Sequence, residues 1–364
     1  ESMGPGLAEI TAAAEVAVIN PAVHSDKVGS VKEASAEHVN LALTNAANAQ
    51  AAWVNTPKNE RAACLNRAAD IMESRIQELM VLLCRESGKT YANAIAEVRE
   101  AVDFLRYYAA QCANLATNAQ IESLGTVLCI SPWNFPLAIF TGQIAAALVT
   151  GNCVIAKPAE QTPLVAFQAV KMLHEAGVPQ AVLQFMPGQG ETIGAKLSQD
   201  ARISGIMFTG STEVAKILQK TVAQRLTQQG QPVTLIAETG GQNAMIVDSS
   251  ALTEQVVFDA VNSAFDSAGQ RCSALRILCV QEDNAKTVLT MLKGAMQQLR
   301  VGNPYLLKTD IGPVIDLEAK QTIDQHIRKT HNSESNFPVS FSHIVNSLQR
   351  IFVYVYYVIQ KPDC

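Results

Sequence analysis

The segment Gly269-Gln270-Arg271-Cys272-Ser273-Ala274 holds a cysteine in a setting that suits covalent chemistry. A thiolate attacks carbonyl carbons, and nearby cations or amide dipoles lower the pKa that controls it. A Gly-containing loop just before a strand exposes sulfur more readily than a strand interior does. A second segment, Ala237-Glu238-Thr239-Gly240-Gly241, sets a carboxylate at the end of an apolar strand, ahead of two glycines. Chemistry in doubly wound sheets collects at the carboxyl ends of strands, and a partly buried Glu there gains the raised pKa of a general base. In Ile130-Ser131-Pro132-Trp133-Asn134-Phe135-Pro136, two prolines stiffen the chain around Asn134. A fixed carboxamide is a good oxyanion donor, and losing one such donor costs ~10²–10³ in rate.

Two further segments suit a nucleotide. Lys157-Pro158-Ala159-Glu160 directly follows the run CVIA. An acidic residue after the second strand of a nucleotide-binding sheet reaches ribose hydroxyls, and Lys157 beside it makes the same contact. Phe208-Thr209-Gly210-Ser211-Thr212 turns from a strand into a helix. That places free amides and a positive helix end where a pyrophosphate would lie. Neither this loop nor 188–194 has the GxGxxG spacing. Each motif alone also suits a structural role: a buried Cys, a capping Glu, a proline-bracketed turn, a solvated charge pair, a simple Gly turn.

The elements that must position these residues alternate. Residues 32–115 read as helical, with Ala62, Leu65, Ala68, Ile71, Met72, Ile76 and Leu79 at three- and four-residue steps over 61–85, and the same period over 93–115. Short apolar runs at 126–130, 153–156, 182–186, 203–208 and 233–237 read as strands, separated by helical stretches at 137–149, 164–176, 191–197 and 213–228. Strands alternating with helices predict a mostly parallel sheet of doubly wound, Rossmann type. A second α/β set follows, with strands at 243–247 and 276–280 and helices at 252–268 and 284–299. The expected division is 1–237 for the N-terminal helices and nucleotide-binding domain, 238–331 for the catalytic domain, and 332–364 for an atypical tail with a strand-like, uncharged run at 351–359.

Composition narrows the class. A length of 364 residues suits about two domains, and 48% apolar with 17% charged residues is a globular composition. A net charge of −5 excludes nucleic-acid or anionic-lipid binding through bulk charge. No apolar run reaches the ~20 residues of a membrane span, and no secretory leader is visible. The first residue is Glu, as in a piece of a longer polypeptide. The 8 cysteines form no CxxC pair and take no zinc-ligand spacing with the 6 histidines. They read as reduced thiols in the cytoplasm, with no metal site.

The motifs PWNFP, KPAEQTP, FTGSTE, ETGG and GQRCSA, in this order over roughly 15–330, resemble the aldehyde dehydrogenase superfamily. SPWNFPLAIFTGQIAAAL, LIAETGGQNAMIVDSSALTEQVV and SAFDSAGQRCSALR look more closely like its glutamate-γ-semialdehyde (1-pyrroline-5-carboxylate) dehydrogenase branch, as found in bifunctional proline utilization A. The resemblance implies Cys272 as nucleophile, Asn134 and the Cys272 amide as oxyanion donors, and Glu238 as the base that hydrolyses a thioester. It implies NAD as cofactor, held by Trp133, Lys157, Glu160, Gly190, Gly194, Gly210 and Ser211, with the carboxylate of Glu160 disfavouring a 2′-phosphate. It implies Ser273 as a grip on the substrate's far carboxylate, Phe135 as a wall of its channel, an upstream proline dehydrogenase domain and a homo-oligomer. The family's acidic-Phe-Gly-Pro segment, its Gly-rich substrate loop and its C-terminal assembly strand have no match here, and the text after His331 reads as unrelated. Two other readings stay open: an aldehyde dehydrogenase for another substrate, and a truncated product that binds nucleotide without turnover.

Overall fold

A computed structural model describes residues 15–114, 122–333 and 355–359. They fall into two compact units. The first runs to residue 239 without 21–23 and 88–91; the second takes those two short segments and residues from 240 onward.

The first unit opens with an antiparallel pair, β1 (Glu15–Ile19) and β2 (Lys27–Lys32), which the sequence pattern did not signal. Four helices follow: α1 (Ala36–Asn55), α2 (Lys58–Ser74), α3 (Ile76–Ser87) and α4 (Tyr91–Asn114). The helical periodicity over 61–85 is thus carried by two helices. The chain breaks at Arg75 (φ −113°, ψ 27°) without a Gly or Pro, and Arg75 reaches Glu175 at 2.7 Å, a tertiary contact with no local signature.

Five parallel strands form the main sheet: β3 (Thr126–Ile130), β4 (Cys153–Lys157), β5 (Leu183–Phe185), β6 (Ile203–Gly210) and β7 (Thr234–Thr239). Their order is β5-β4-β3-β6-β7, so the winding reverses between β3 and β6. The connecting helices are α5 (Ala138–Val149), α6 (Pro163–Glu175), α7 (Ala195–Gln199) and α8 (Thr212–Ala223). Right-handed crossovers put α5 and α6 on one face and α8 on the other. The inner strand β4 is buried along its whole length, which is why it reads as an unbroken apolar run. β7 is the sheet's edge, and Ile236 on it is half exposed.

Helix α5 is buried and apolar but for Thr141 and Gln143; no side chain of its own caps its amino end, while Thr150 Oγ1 donates to the carbonyls of Ala146 (2.9 Å) and Ala147 (3.0 Å) at the other. The N-terminal helices close both its ends. From α4, Glu97 Oε1 accepts from the N–H groups of Leu137 (2.9 Å) and Ala138 (3.3 Å). From α2, the Arg61 guanidinium donates to the Val149 carbonyl (3.0 Å). Helix α6 is treated alike: the N–H groups of Leu164 and Val165 donate to Glu86 Oε1 (2.6 Å) and Oε2 (2.8 Å). A buried carboxylate is tolerated only with such partners.

The second unit has β8 (Asn243–Val247), α9 (Thr253–Phe265), β9 (Leu275–Gln281), α10 (Glu282–Gln298), α11 (Leu317–Ser333) and β10 (Val355–Ile359). Its three strands are parallel in the order β10-β9-β8. Leu275, Leu278, Val280, Phe265, Val288 and Leu292 fill the core. The helix expected to reach residue 268 stops at Phe265, because Ser267 (φ 55°) and Ala268 (φ 57°) turn left-handed. The other 332–364 expectations lie mostly outside the described residues.

Burial pushes the Glu86 carboxyl up to about 8 against the pull of its two amide bonds. A carboxyl pKa raised by folding stabilises the fold below its unfolded value of about 4.5, and that stability is lost as pH rises through about 8. Glu86→Gln removes the titration and keeps an acceptor. Thermal denaturation should therefore show wild type losing on the order of 3–5 kcal/mol relative to Glu86→Gln between about pH 4.5 and pH 9. Parallel profiles for the two chains would show that Glu86 does not titrate in the folded protein.

Candidate active site

In the first unit the expected residues all lie at or just beyond the carboxyl ends of the parallel strands. Trp133, Asn134 and Phe135, each half-buried, sit between β3 and α5. The loop is tied at its start by the Ser131 N–H to the Lys157 carbonyl (3.2 Å), and at its end by Glu97. Across the winding reversal, Gln143 of α5 donates both to the Ile130 carbonyl (3.3 Å) and to Thr209 Oγ1 (3.1 Å). It thereby joins the ends of β3 and β6, where such sheets bind ligands.

Four of the expected cofactor residues come together. The buried Lys157 ammonium donates to Glu160 Oε1 (2.9 Å) and to the Pro158 carbonyl (3.2 Å). A Cβ on Gly190 would lie 3.6 Å from Glu160 Oε1, and one on Gly194 would lie 3.4 Å from Lys157 Cε. Gly190–Gly194 forms a single wide turn leading directly into α7, so the helix expected at 191–197 is present over 190–199 with a wide first turn. Gly188 sets up that turn with φ 153°, and a Cβ there would strike Ile193 at 2.5 Å.

Ser211 caps α8 by accepting from the Val214 N–H (3.2 Å), and α8 ends at Ala223, short of the expected 228. Pairing of β6 with β7 sets Glu238 opposite Thr209 and Thr239 opposite Gly210. Glu238 is exposed rather than partly buried, since it stands on the edge strand. The buried atoms Gln143 Oε1 and Ser131 Oγ have no hydrogen-bond partner among the described residues. This edge therefore carries polar capacity that a ligand can use.

In the second unit Cys272 and Ser273 form the exposed corners of one turn, closed by the Ala274 N–H to the Arg271 carbonyl (3.2 Å). Three side chains knit the segment. Asn243 Nδ2 donates to the carbonyls of Cys272 (2.7 Å) and Ala274 (3.0 Å). Gln270 Nε2 donates to the carbonyls of Ser267 (3.0 Å) and Pro313 (3.2 Å), while its Oε1 accepts from the Ile315 N–H (2.9 Å). The Arg276 guanidinium donates to the Gly269 carbonyl (2.8 Å). Left-handed Ser267 and Ala268 lead in, a non-glycine conformation that persists only where surroundings enforce it and that concentrates at functional sites.

Sequence reasoning missed the supporting residues Glu97, Gln143 and Asn243. A charge or amide inside an apolar helical stripe was the available signal for the first two. It also missed an open groove of about 640 Å³ along α4, with Ile95, Phe104 and Tyr107 beside Arg99, Glu100 and Asp103. Among the described residues no His, Cys, Asp or Glu cluster has the makings of a metal site, and no helix is long and apolar enough to cross a membrane.

The family model for the aldehyde dehydrogenase family matches residues 9–341, so the chain belongs to that family. It is similar to the bifunctional protein PutA of Klebsiella aerogenes, with 64% identity over 311 residues that cover 85% of this chain and 24% of that protein. It is also similar to the 1-pyrroline-5-carboxylate dehydrogenase of Anoxybacillus flavithermus, with 39% identity over 325 residues, 86% of this chain and 63% of that one. Among solved structures, a Thermus 1-pyrroline-5-carboxylate dehydrogenase with bound NAD superposes with a TM-score of 0.83 at 34% identity, covering 88% of this chain and 64% of that one. The chain thus spans about a quarter of the bifunctional relative and under two thirds of the shorter ones.

Asn243→Ala removes two hydrogen bonds to the Cys272 turn, at a cost of about 1–3 kcal/mol. Asn243→Asp keeps the size but sets a carboxylate against two carbonyl oxygens. Thermal denaturation at pH 7 should rank wild type above Asn243→Ala and Asn243→Ala above Asn243→Asp. Equal midpoints for all three would show that the amide does not hold this turn.

Proposed function

We propose that the chain oxidises L-glutamate-γ-semialdehyde to L-glutamate with NAD, a step of proline catabolism. The observation that carries this reading is the joint cradle of Lys157, Glu160, Gly190 and Gly194 beside the Asn134 and Gly210–Ser211 loops. Family membership and the likeness to 1-pyrroline-5-carboxylate dehydrogenases support the substrate.

The cradle fits a dinucleotide. Lys157 and Glu160 offer a donor and an acceptor to an adenosine ribose, with Gly190 and Gly194 clearing the approach. The carboxylate of Glu160 repels a 2′-phosphate, which favours NAD over NADP. Amides at the start of α8, beside Gly210 and Ser211, suit the pyrophosphate, and Trp133 adds an aromatic face. Bound NAD supplies the acceptor for the hydride of the aldehyde carbon.

The protein groups do the rest. The Cys272 thiolate forms a bond to the aldehyde carbon, and the C=O electron pair moves onto oxygen. The Asn134 carboxamide and the Cys272 N–H donate to that oxyanion, an interaction strongest in the transition state. After oxidation the acyl group remains on Cys272 as a thioester. Glu238 takes a proton from water, the water oxygen bonds to the acyl carbon, and the thiolate leaves. Ser273, one residue on, donates to the substrate's far carboxylate, and Phe135 walls its path. The same reading gives a small aldehyde as substrate, a proline dehydrogenase domain upstream as its source, and assembly with further copies of the chain.

Cys272→Ala should abolish NADH formation from the semialdehyde, and wild type should accumulate a Cys272 acyl adduct visible by mass spectrometry. Undiminished NADH formation in Cys272→Ala would remove the nucleophile. Faster turnover of short unfunctionalised aldehydes than of the semialdehyde would remove the substrate.

A further inference from the structure

We infer that Glu97, which no motif marks, is a positioning residue for the oxyanion donor Asn134. This rests on the proposed role of Asn134 and deepens it.

Glu97 lies on the apolar stripe of α4, between Ala94, Val98 and Ala101, and is 1% exposed. Its Oε1 accepts from the first two amides of α5, whose amino end has no side-chain cap of its own. The loop carrying Asn134 ends at those amides. Its other end is held by the Ser131 N–H to the Lys157 carbonyl (3.2 Å), and Pro132 and Pro136 fix φ between. Only residues 132–136 thus separate the two anchors. Helix α4 is also locked against α5 where Gly142 admits the Phe104 ring, since a Cβ at 142 would meet that ring at 3.0 Å. The α5 end of the loop is therefore referenced to α4 through one carboxylate oxygen. An oxyanion donor works by being in place before charge develops, so freedom at that anchor lowers rate more than affinity.

The test compares wild type, Glu97→Gln and Glu97→Ala as the full chain. Gln keeps the single accepting oxygen; Ala removes it. Amide exchange in 131–138 should speed up about tenfold or more in Glu97→Ala, with 157–163 unchanged, and return near wild type in Glu97→Gln. Aldehyde oxidation by Glu97→Ala should lose about tenfold or more in kcat with KM and the NAD dissociation constant within about twofold, and Glu97→Gln should recover most of it. Unchanged exchange in 131–138, or a loss of kcat, KM and exchange protection spread over the whole unit, would overturn the inference. If wild type oxidises no aldehyde, the functional reading fails, while the exchange data still decide whether Glu97 fixes the loop.

Discussion

Helix α5 cannot satisfy its own amino end, and much of the first unit is arranged around that constraint. It is apolar but for Thr141 and Gln143, so it is buried, and burial removes the water that would otherwise cap it. A carboxylate from α4 closes its amino end and a guanidinium from α2 closes its carboxyl end. The charges match the helix dipole at each end. The four leading helices are therefore more than a cover for the sheet, because two of them complete a helix that lies between β3 and β4. Glu86 of α3 does the same for the start of α6.

These caps determine where an anion is welcome. The carboxyl groups of Glu97 and Glu86 occupy the amino ends of α5 and α6, whereas α8 is capped only by the hydroxyl of Ser211. Because winding reverses between β3 and β6, α8 starts beside the loop that follows β3. For the dinucleotide proposed above, the first amides of α5 and α6 are already engaged, which leaves the start of α8 to receive a pyrophosphate. The second unit has a different task, holding an exposed thiol on a turn whose carbonyls are fixed by Asn243 and whose approach is left-handed. Electrostatics orders the first region, and backbone constraint orders the second.

Much of this was legible in the residues. Inner strands such as CVIA announced themselves, since parallel strands buried on both faces are continuously apolar. The loop motifs marked the carboxyl edge because Pro and Gly are needed there for backbone reasons. What escaped was nonlocal. Arg75, where α2 ends, pairs with Glu175 a hundred residues away, and Glu97 serves a helix forty residues on. The end of α9 at Phe265 escaped as well, since Ser and Ala carry no mark of a left-handed turn. The pair β1–β2 escaped because short half-exposed strands carry little periodicity. Edge position likewise cannot be read from VTLIA, so the exposure of Glu238 was not foreseen.

Hydrogen exchange of the full chain with and without saturating NAD tests the dinucleotide site most directly. Protection should rise in 131–137, 157–160, 189–194 and 209–213, and stay unchanged in 15–32 and along α6 beyond its first turn. Protection confined to other segments, or none at any NAD concentration, would contradict a nucleotide site at the carboxyl edge of this sheet.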